Sequence, residues 1–275
     1  MTLRPLIDNI FLCLEIPWDF CNCIQVKPVS LCITDNIFQP IIYLTSFNRM
    51  FLQQRRAISQ AASHVLNDWR YCLSLDNENR CRQSLKHNLK LYDMLAGSKT
   101  NEMQGSRQQK CASILVSLCS VEGQPSFLFT LRSTALDMNK GDVSFAGGKC
   151  DLADRDVVAT ALRETWEELG ISVAAESVWG VLKPLCHRKG LTIAPVLANL
   201  GPVEDLSFRI NPGEVEDVFT LPLSHLCNPQ NCGYTNFRVG EKYGYTLPVF
   251  HNWKQRVWGL TAVAVNQTLK LIVPS

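Results

Sequence analysis

The chain has 275 residues, of which 46% are hydrophobic and 19% charged, and this composition excludes a wholly disordered, collagenous or coiled-coil protein. Its length predicts about one catalytic-sized domain with an appendage. The 27 basic and 25 acidic side chains give a net charge of +2, so bulk charge predicts no nucleic-acid partner. Charged residues interrupt every apolar run before it reaches the roughly 18 residues of a spanning helix, so we expect no stable membrane insertion.

The twelve cysteines are spread along the chain, and no secretory signal opens the sequence. The close pairs Cys21/Cys23 and Cys227/Cys232 do not combine with the five histidines into a zinc-binding spacing. We therefore expect reduced thiols in an intracellular compartment, and no disulfide framework.

The N-terminal region is divided into two segments. Residues 1–49 mix apolar runs with prolines and predict a poorly structured extension that does not necessarily belong to the mature protein. Residues 50–72 are free of acid up to residue 67 and contain Arg55 and Arg56 in that acid-free part, which is the composition of a mitochondrial presequence. Translation or splicing from a start near Met50 would place this presequence at the N-terminus. We therefore expect a location in the mitochondrial matrix. The alternative is a basic linker in a cytoplasmic protein.

Residues 73–110 are predicted to form an amphipathic helix followed by a polar linker. Leu85, Leu89 and Tyr92 are spaced as on one helix face, and Gly97 stands where a helix would end. We predict one continuous helix over residues 75–95.

Residues 111–275 carry short apolar runs separated by glycine and proline turns, a pattern typical of a sheet. We therefore predict that the folded domain begins near Cys111 and expect Phe250 and Trp258 in its core. The runs cover residues 112–119, 127–131, 178–185, 193–200, 218–221 and 245–250.

The most informative segment is 141–171, which predicts a strand, a glycine-rich loop and a helix. Asp154 or Asp156 can cap the helix at its start, and Gly170 can end it. The predicted apolar side of this helix consists of Val158, Leu162, Thr165, Trp166 and Leu169.

Three glutamates share one face of this helix. Glu164, Glu167 and Glu168 stand at positions i, i+3 and i+4, so their Cβ atoms are about 5 to 6 Å apart. Arg163 can pair with Glu167 one turn away. Clustered carboxylates repel one another, and a hard divalent cation such as Mg²⁺ or Mn²⁺ would relieve that repulsion. The alternative for such a stretch alone is a solvated acidic helix face.

With its flanking loop, the segment resembles the Nudix box: a glycine, five residues, an acidic residue, a spacer, Arg-Glu, two residues, Glu-Glu, one residue and a glycine. The matching positions here are Gly148, Asp154, Arg163, Glu164, Glu167, Glu168 and Gly170. Asp154 stands where glutamate is usual, and the spacer before Arg163 is one residue longer.

Residues 130–133 and 140–148 resemble the additional signature of the coenzyme A diphosphatases within this superfamily, with Ala146 in place of its usual proline. Residues 211–226 and 256–262 are also similar to that subfamily, especially to its mitochondrial members. The likeness covers residues 75–275. It implies an α/β fold, a Nudix-type α/β/α sandwich with a mixed sheet, behind an N-terminal helix and the poorly structured extension.

The resemblance also implies chemistry. The diphosphate of a small-molecule substrate would be hydrolysed with Mg²⁺ or Mn²⁺ bound by Glu164 and Glu168, with Glu167 assisting. Glu164 is the first candidate for the base that takes a proton from water, ahead of Glu214 and Glu216.

Other site residues are expected to position these groups and the phosphates. Arg163 would orient its neighbours, and the backbone at Gly147 and Gly148 would approach the metal and phosphate cluster. Arg132 and Lys149 would meet phosphate oxygens. Recognition of the distant 3′-phosphate of coenzyme A is expected from basic residues near the strand ends: Arg132, Lys140, Lys149 and Arg188.

The leading hypothesis is a coenzyme A diphosphatase that releases 4′-phosphopantetheine, or its acylated form, and adenosine 3′,5′-bisphosphate. The alternatives are a Nudix hydrolase for other nucleoside diphosphate derivatives and a catalytically quiet nucleotide-binding module. The sequence predicts neither acyl-chain preference nor oligomeric state.

Overall fold

The computed structural model describes residues 69–97, 111–187, 191–239, 243–252 and 254–274. The predicted extension, most of the predicted presequence and the predicted linker lie outside these residues. No helix in the described part is long and apolar enough to cross a membrane. All eight cysteines whose side chains are described are free thiols.

Five α-helices are described, and a 3₁₀ helix (Trp69–Leu73) precedes them. The α-helices are α1 (Leu75–Leu85), α2 (Asn88–Gly97), α3 (Val157–Leu169), α4 (Leu223–Leu226) and α5 (Gly259–Ile272). The strands are β1 (Cys111–Val121), β2 (Gln124–Arg132), β3 (Val143–Ser144), β4 (Gly147–Lys149), β5 (Val178–Val181), β6 (Leu185–His187), β7 (Leu191–Pro202), β8 (Val215–Pro222), β9 (Cys232–Val239), β10 (Tyr243–His251) and β11 (Arg256–Val257).

The main sheet has eight strands in the central order β3-β2-β1-β7-β5, with β4 beside β1, β6 beside β7 and β8 beside β2. Strands β1 and β7 run parallel, and the other pairs are antiparallel, so the sheet is mixed. A second sheet joins β9, β10 and β11 in antiparallel order.

Alternating side chains of the main sheet supply two cores, one on each face. Phe127 and Phe129 pack with Val265 and Ile272 of α5 on one face. Leu115 and Ala194 pack with Ala161 of α3 on the other. Helices therefore cover both faces of a mixed sheet, which confirms the predicted sandwich.

The prediction of one helix over residues 75–95 is wrong, because the chain turns at Lys86 and His87 between α1 and α2. Leu85 packs into the core beneath α5, whereas Tyr92 belongs to the core beneath α3. One straight helix cannot reach both faces of a sheet, so the chain breaks between α1 and α2. The spacing of the apolar residues continues across this break, which is why the sequence predicted a single helix.

The helical region before Cys111 packs into the same core as the sheet. Cys72, Cys81 and Leu85 are all buried there, and the side chain of Asn77 bridges the carbonyls of Cys72 and Ile272. The globular fold therefore includes elements upstream of the expected start near Cys111.

The predicted run 178–185 is divided between β5 and β6. Proline at 184 has no N–H to donate to a neighbouring strand, so the pairing with β7 is interrupted there. The other five apolar runs each lie within a single observed strand.

Candidate active site

Helix α3 carries the acidic residues, and local capping fixes where it begins and ends. The Asp156 side chain accepts a hydrogen bond from the Ala159 N–H at 2.8 Å, so Asp156 is the N-cap rather than Asp154. Gly170 adopts the left-handed conformation with φ of 69° and donates to the Trp166 carbonyl. The predicted end of the helix is confirmed.

The buried face of α3 differs from the predicted one. Its buried residues are Thr160, Ala161, Thr165, Glu168 and Leu169, whereas the Trp166 side chain is 62% exposed. The placement of Trp166 on the apolar side is wrong. The side of the helix that faces the sheet is rotated by about one residue from the predicted side, and it includes a glutamate instead of Trp166.

Asp154 anchors Arg163 instead of capping the helix. The guanidinium donates to both carboxylate oxygens of Asp154, which also accepts from the Thr160 hydroxyl at 2.8 Å and the Asp151 N–H at 2.9 Å. These donors, Arg163 above all, hold the pKa of Asp154 well below its usual range. The shorter acidic residue therefore reaches Arg163 across the longer spacer.

Arg163 connects the loop to the glutamates. It donates to Glu164 at 3.1 Å, to Glu167 at 3.0 Å and to the Lys149 carbonyl at 3.1 Å. The expected pair with Glu167 is present, and the Glu167 side chain is 44% exposed. Arg163 thus sets the orientation of two of the three box glutamates.

Glu168 is the most buried of the glutamates, at 2% exposure. Burial and, after it, the nearby charge of Glu214 raise its pKa to about 8, and the Gly147 N–H and the Arg132 guanidinium partly oppose that rise. Burial also raises the pKa of the half-buried Glu164, and Glu214 contributes there too. Glu164, Glu168 and Glu214 therefore form one cluster, which we call the carboxylate cluster.

The structure separates the two predicted loop glutamates. Glu214 is held by its backbone, since its carbonyl accepts from the Ser133 N–H at 2.9 Å. Glu216 is exposed, and it falls where the register between β2 and β8 shifts. The charge of Glu214 acts on both Glu164 and Glu168, so Glu214 joins the cluster. The bulge contains Glu216 and turns that side chain to solvent.

The two loop glycines are tightly enclosed. A Cβ on Gly148 would lie 2.4 Å from the carboxylate atoms of Glu164, and a Cβ on Gly147 would lie 2.3 Å from the Ser113 carbonyl oxygen. A side chain at Gly148 would therefore displace a candidate catalytic group, whereas one at Gly147 would collide with strand β1.

The predicted phosphate-binding residues occupy different environments. Arg132 faces Glu168, and its buried Nε has no hydrogen-bond partner among the described residues. Lys149 and Lys140 are exposed, and Arg188 lies outside the described residues. Arg132 is thus the predicted phosphate ligand that the structure brings to the carboxylate cluster.

The carboxylate cluster has the chemistry of a hard-cation site. In the described part of the chain, no three Asp, Glu, His or Cys side chains are already arranged as metal ligands. Burial and, after it, the charges of neighbouring glutamates, Glu214 among them, nevertheless raise the pKa values of Glu164 and Glu168, and a divalent cation would offset that repulsion. The residues present therefore fit Mg²⁺ or Mn²⁺.

A cavity of about 320 Å³ opens beside β3 and was not predicted. Its walls are Leu131, Gly141, Asp142, Val143, Lys254, Gln255, Arg256 and Trp258. Phe250 is buried as expected, but Trp258 is only partly buried and lines this cavity, so its assignment to the core is wrong. Arg256 and Trp258 stand two residues apart in the sequence, and this spacing is the signal that could have predicted that the two side chains lie close together.

Comparison with known proteins supports the resemblance. The NUDIX domain family matches residues 110–233. The mitochondrial coenzyme A diphosphatase NUDT8 of Homo sapiens is 50% identical over 204 residues, which cover 74% of this chain and 81% of the relative. Its counterpart in Mus musculus is 50% identical over 203 residues, covering 74% and 90%. Nudix hydrolase 3 of Caenorhabditis elegans is 35% identical over 179 residues, covering 59% and 73%. With this identity over most of both chains, and with the box helix and its acidic residues in place, the chain belongs to the Nudix hydrolase family.

Proposed function

We propose that the chain hydrolyses the diphosphate bond of coenzyme A and acyl-coenzyme A, releasing (acyl-)4′-phosphopantetheine and adenosine 3′,5′-bisphosphate. The observation that carries this proposal is the 50% identity to two relatives named as mitochondrial coenzyme A diphosphatases, which spans most of their length. The carboxylate cluster supports it, because a site that cleaves a diphosphate must counter charge on the non-bridging oxygens and activate water.

Nudix hydrolases generally use divalent metal ions. In this chain Glu164 and Glu168 would hold Mg²⁺ or Mn²⁺ with Glu214 beside them, and Glu167 adds a carboxylate at the exposed edge. The cation would neutralise phosphate charge and acidify a water molecule. This assignment is supported by the burial of Glu168 and by the raised pKa values of Glu164 and Glu168, to which burial contributes most and the charge of Glu214 also contributes.

The protein's own residues would position the substrate's phosphates and deprotonate the attacking water. Glu164 remains our first candidate for the base, since burial raises its pKa and makes it a better proton acceptor. Glu214 is the second candidate for the base. Glu216 is exposed, and this exposure argues against Glu216 as the base. Arg163, fixed by Asp154, would hold Glu164 in place. Arg132 would donate its unpartnered Nε to a phosphate oxygen.

Substrate profiling tests this function. Full-length protein is assayed at equal Mg²⁺ with coenzyme A, an acyl-coenzyme A, ADP-ribose, reduced nicotinamide dinucleotide and a nucleoside triphosphate, with products identified by mass spectrometry. We expect coenzyme A and its acyl derivative to have the highest kcat/KM. Preference for any of the last three would establish the alternative Nudix hydrolase. Tight nucleotide binding without turnover would establish a quiet module.

We also propose a mitochondrial matrix location, supported by the names of the two relatives and by the basic segment from Met50. Cys72 is buried in the core, so processing is expected before Trp69. A fluorescent fusion of residues 50–68 should enter mitochondria, and the same fusion with Arg55→Glu and Arg56→Glu should not. A cytosolic parent fusion would contradict the proposal.

A further inference from the structure

We propose that the cavity beside β3 is the subsite for the 3′-phosphate of the substrate's adenosine, with Arg256 and Lys254 as its specificity-determining residues. This rests on the proposed function and extends it, since the carboxylate cluster acts on the diphosphate alone. A group that distinguishes coenzyme A from other diphosphates must contact the substrate away from the scissile bond.

The charges of the cavity favour a phosphate. Lys254 and Arg256 contribute two positive charges, and Asp142 is the acidic residue among the cavity walls. The walls therefore carry a net formal charge of +1, and Gln255 adds an amide donor. A phosphate monoester beside guanidinium and ammonium groups accepts charge-assisted hydrogen bonds.

A stack of aromatic rings holds the arginine in place. The guanidinium of Arg256 lies 5.0 Å from the centre of the Trp258 ring. Behind Trp258, the ring of Phe237 is 6.5 Å away and nearly parallel, and Tyr245 stacks on Phe237 at 5.0 Å. Because the stacked guanidinium is already oriented, less side-chain freedom is lost when it binds an anion.

The cavity is close to the carboxylate cluster through two connections. The backbone of Arg132 pairs with Asp142 and Gly141 at the cavity wall, while its side chain faces Glu168. The chain also runs from Val143 at the cavity to Gly147 at Glu168 in four steps, a span of at most about 14 Å. In coenzyme A only the ribose separates the 3′-phosphate from the diphosphate, so a subsite for the 3′-phosphate is expected beside the carboxylate cluster.

This assignment differs from the one made on sequence, which used basic residues near the strand ends. Of those, Lys140, Lys149 and Arg132 are not among the cavity walls, and Arg132 faces the carboxylates. Lys254 and Arg256 lie more than a hundred residues further along the chain, so only the pairing of β11 with β10 and its packing near β3 brings them to this wall.

The experiment compares full-length wild type with Arg256→Gln, Lys254→Gln and the control Lys270→Gln, an exposed lysine at the other end of α5. For coenzyme A we expect Arg256→Gln to raise KM at least tenfold with little change in kcat. For 3′-dephospho-coenzyme A we expect its KM to stay unchanged. Lys254→Gln should act in the same direction, and Lys270→Gln should match wild type. An equal effect of Arg256→Gln on both substrates would overturn the proposal.

Binding without turnover separates this proposal from the proposed function. In calorimetry without metal, wild type should bind adenosine 3′,5′-bisphosphate at least tenfold more tightly than adenosine 5′-monophosphate, and Arg256→Gln should abolish the difference. Equal affinities in wild type would overturn the subsite even if coenzyme A is cleaved. If the bisphosphate is preferred and coenzyme A is not cleaved, the subsite stands and the proposed function fails.

Discussion

The guanidinium of Arg163 donates from Nε and Nη2 to the two carboxylate oxygens of Asp154, and each hydrogen bond is 2.9 Å long. This bidentate pair ties the glycine-rich loop to the middle of α3. The remaining guanidinium nitrogen contacts Glu164 and Glu167, so the pair also orients the box glutamates. The pair accounts for an aspartate and a longer spacer in a box that otherwise has glutamate at this position.

Asp154→Asn should lower both stability and turnover. The variant keeps the shape of the side chain but loses its charge and replaces one of the two accepting oxygens with an NH2 donor, so we expect a loss of about 1.5 to 3 kcal/mol in the free energy of unfolding. Turnover should fall because Arg163 no longer holds Glu164 in one orientation. Denaturant unfolding and initial rates measure the two effects. Asp151→Asn, an exposed aspartate in the same loop, is the control, and an Asp154→Asn protein indistinguishable from it would refute the anchoring role.

Glu168→Gln should separate catalysis from folding. Removing a buried carboxylate from the cluster should reduce turnover on the order of 100-fold. The melting temperature at neutral pH should be unchanged or higher without metal, since burial and the nearby charge of Glu214 force Glu168 to take up a proton on folding, whereas the amide is neutral in both states. Glu176→Gln, an exposed glutamate outside the cluster, is the matched control. Near wild-type turnover at saturating Mg²⁺ would remove Glu168 from the site.

The stability of the metal-free protein should depend on pH through Glu168. Burial raises its pKa to about 8 in the folded state from 4.5, so between these values the unfolded chain releases its proton while the folded protein retains it. The stability that Glu168 contributes is therefore fully present below about pH 4.5 and is lost as the pH rises through about 8. Urea unfolding of wild type and Glu168→Gln at several pH values measures this difference. A constant difference from pH 5 to 8 would contradict the prediction.

Addition of Mg²⁺ provides a second measurement of the same group. A bound cation requires the ionised carboxylate, so apparent Mg²⁺ affinity should rise with pH up to about 8 and level off. Proton release on Mg²⁺ addition near pH 7, absent in Glu168→Gln, would show that this group supplies the proton.

The two loop glycines should respond differently to alanine. In Gly148→Ala the new Cβ meets the end of the flexible Glu164 side chain, so activity should fall at least tenfold while the melting temperature changes little. In Gly147→Ala the Cβ meets backbone atoms of Ser113 and Ile114, so we expect a loss of about 1 to 3 kcal/mol in the free energy of unfolding. Activity and melting temperature are measured for both variants. Equal losses of stability in the two variants would contradict this prediction.

Cys150 should react with alkylating reagents near neutral pH. A hydrogen bond from the Cys111 thiol is the main cause that lowers the pKa of Cys150 to about 7. We expect its iodoacetamide rate, followed by peptide mass spectrometry, to reach half its maximum near pH 7. Cys111→Ala should move that midpoint upward. A midpoint near pH 9 for the wild-type rate would contradict the prediction that Cys150 is a thiolate near neutral pH.

Local sequence signals predicted the strands and the box helix with its glycine stop. A helix brings residues i, i+3 and i+4 together whatever surrounds it, so the shared face of Glu164, Glu167 and Glu168 and the Arg163–Glu167 pair followed from spacing alone. Apolar runs between turns placed most strands for the same reason, because alternation and turn chemistry are properties of short segments.

The depth at which each of those side chains is buried depended on the tertiary structure. The packing of α3 against β1 buried Glu168 and exposed Trp166, although hydrophobicity predicts the opposite. Likewise the two faces of the sheet divided the predicted N-terminal helix into α1 and α2. These outcomes depend on which neighbour covers each face, and that neighbour is distant in sequence.

By itself, then, the sequence determined the box helix, its acidic and basic side chains, and the family to which they belong, because these are written in residues within one or two turns of each other. Only the tertiary structure decided that Glu214 rather than Glu216 joins Glu168, and that Lys254, Arg256 and Trp258 line a cavity beside β3. The physical reason is that a strand bulge and the pairing of distant strands direct these side chains, and both arise from contacts between residues far apart in the chain.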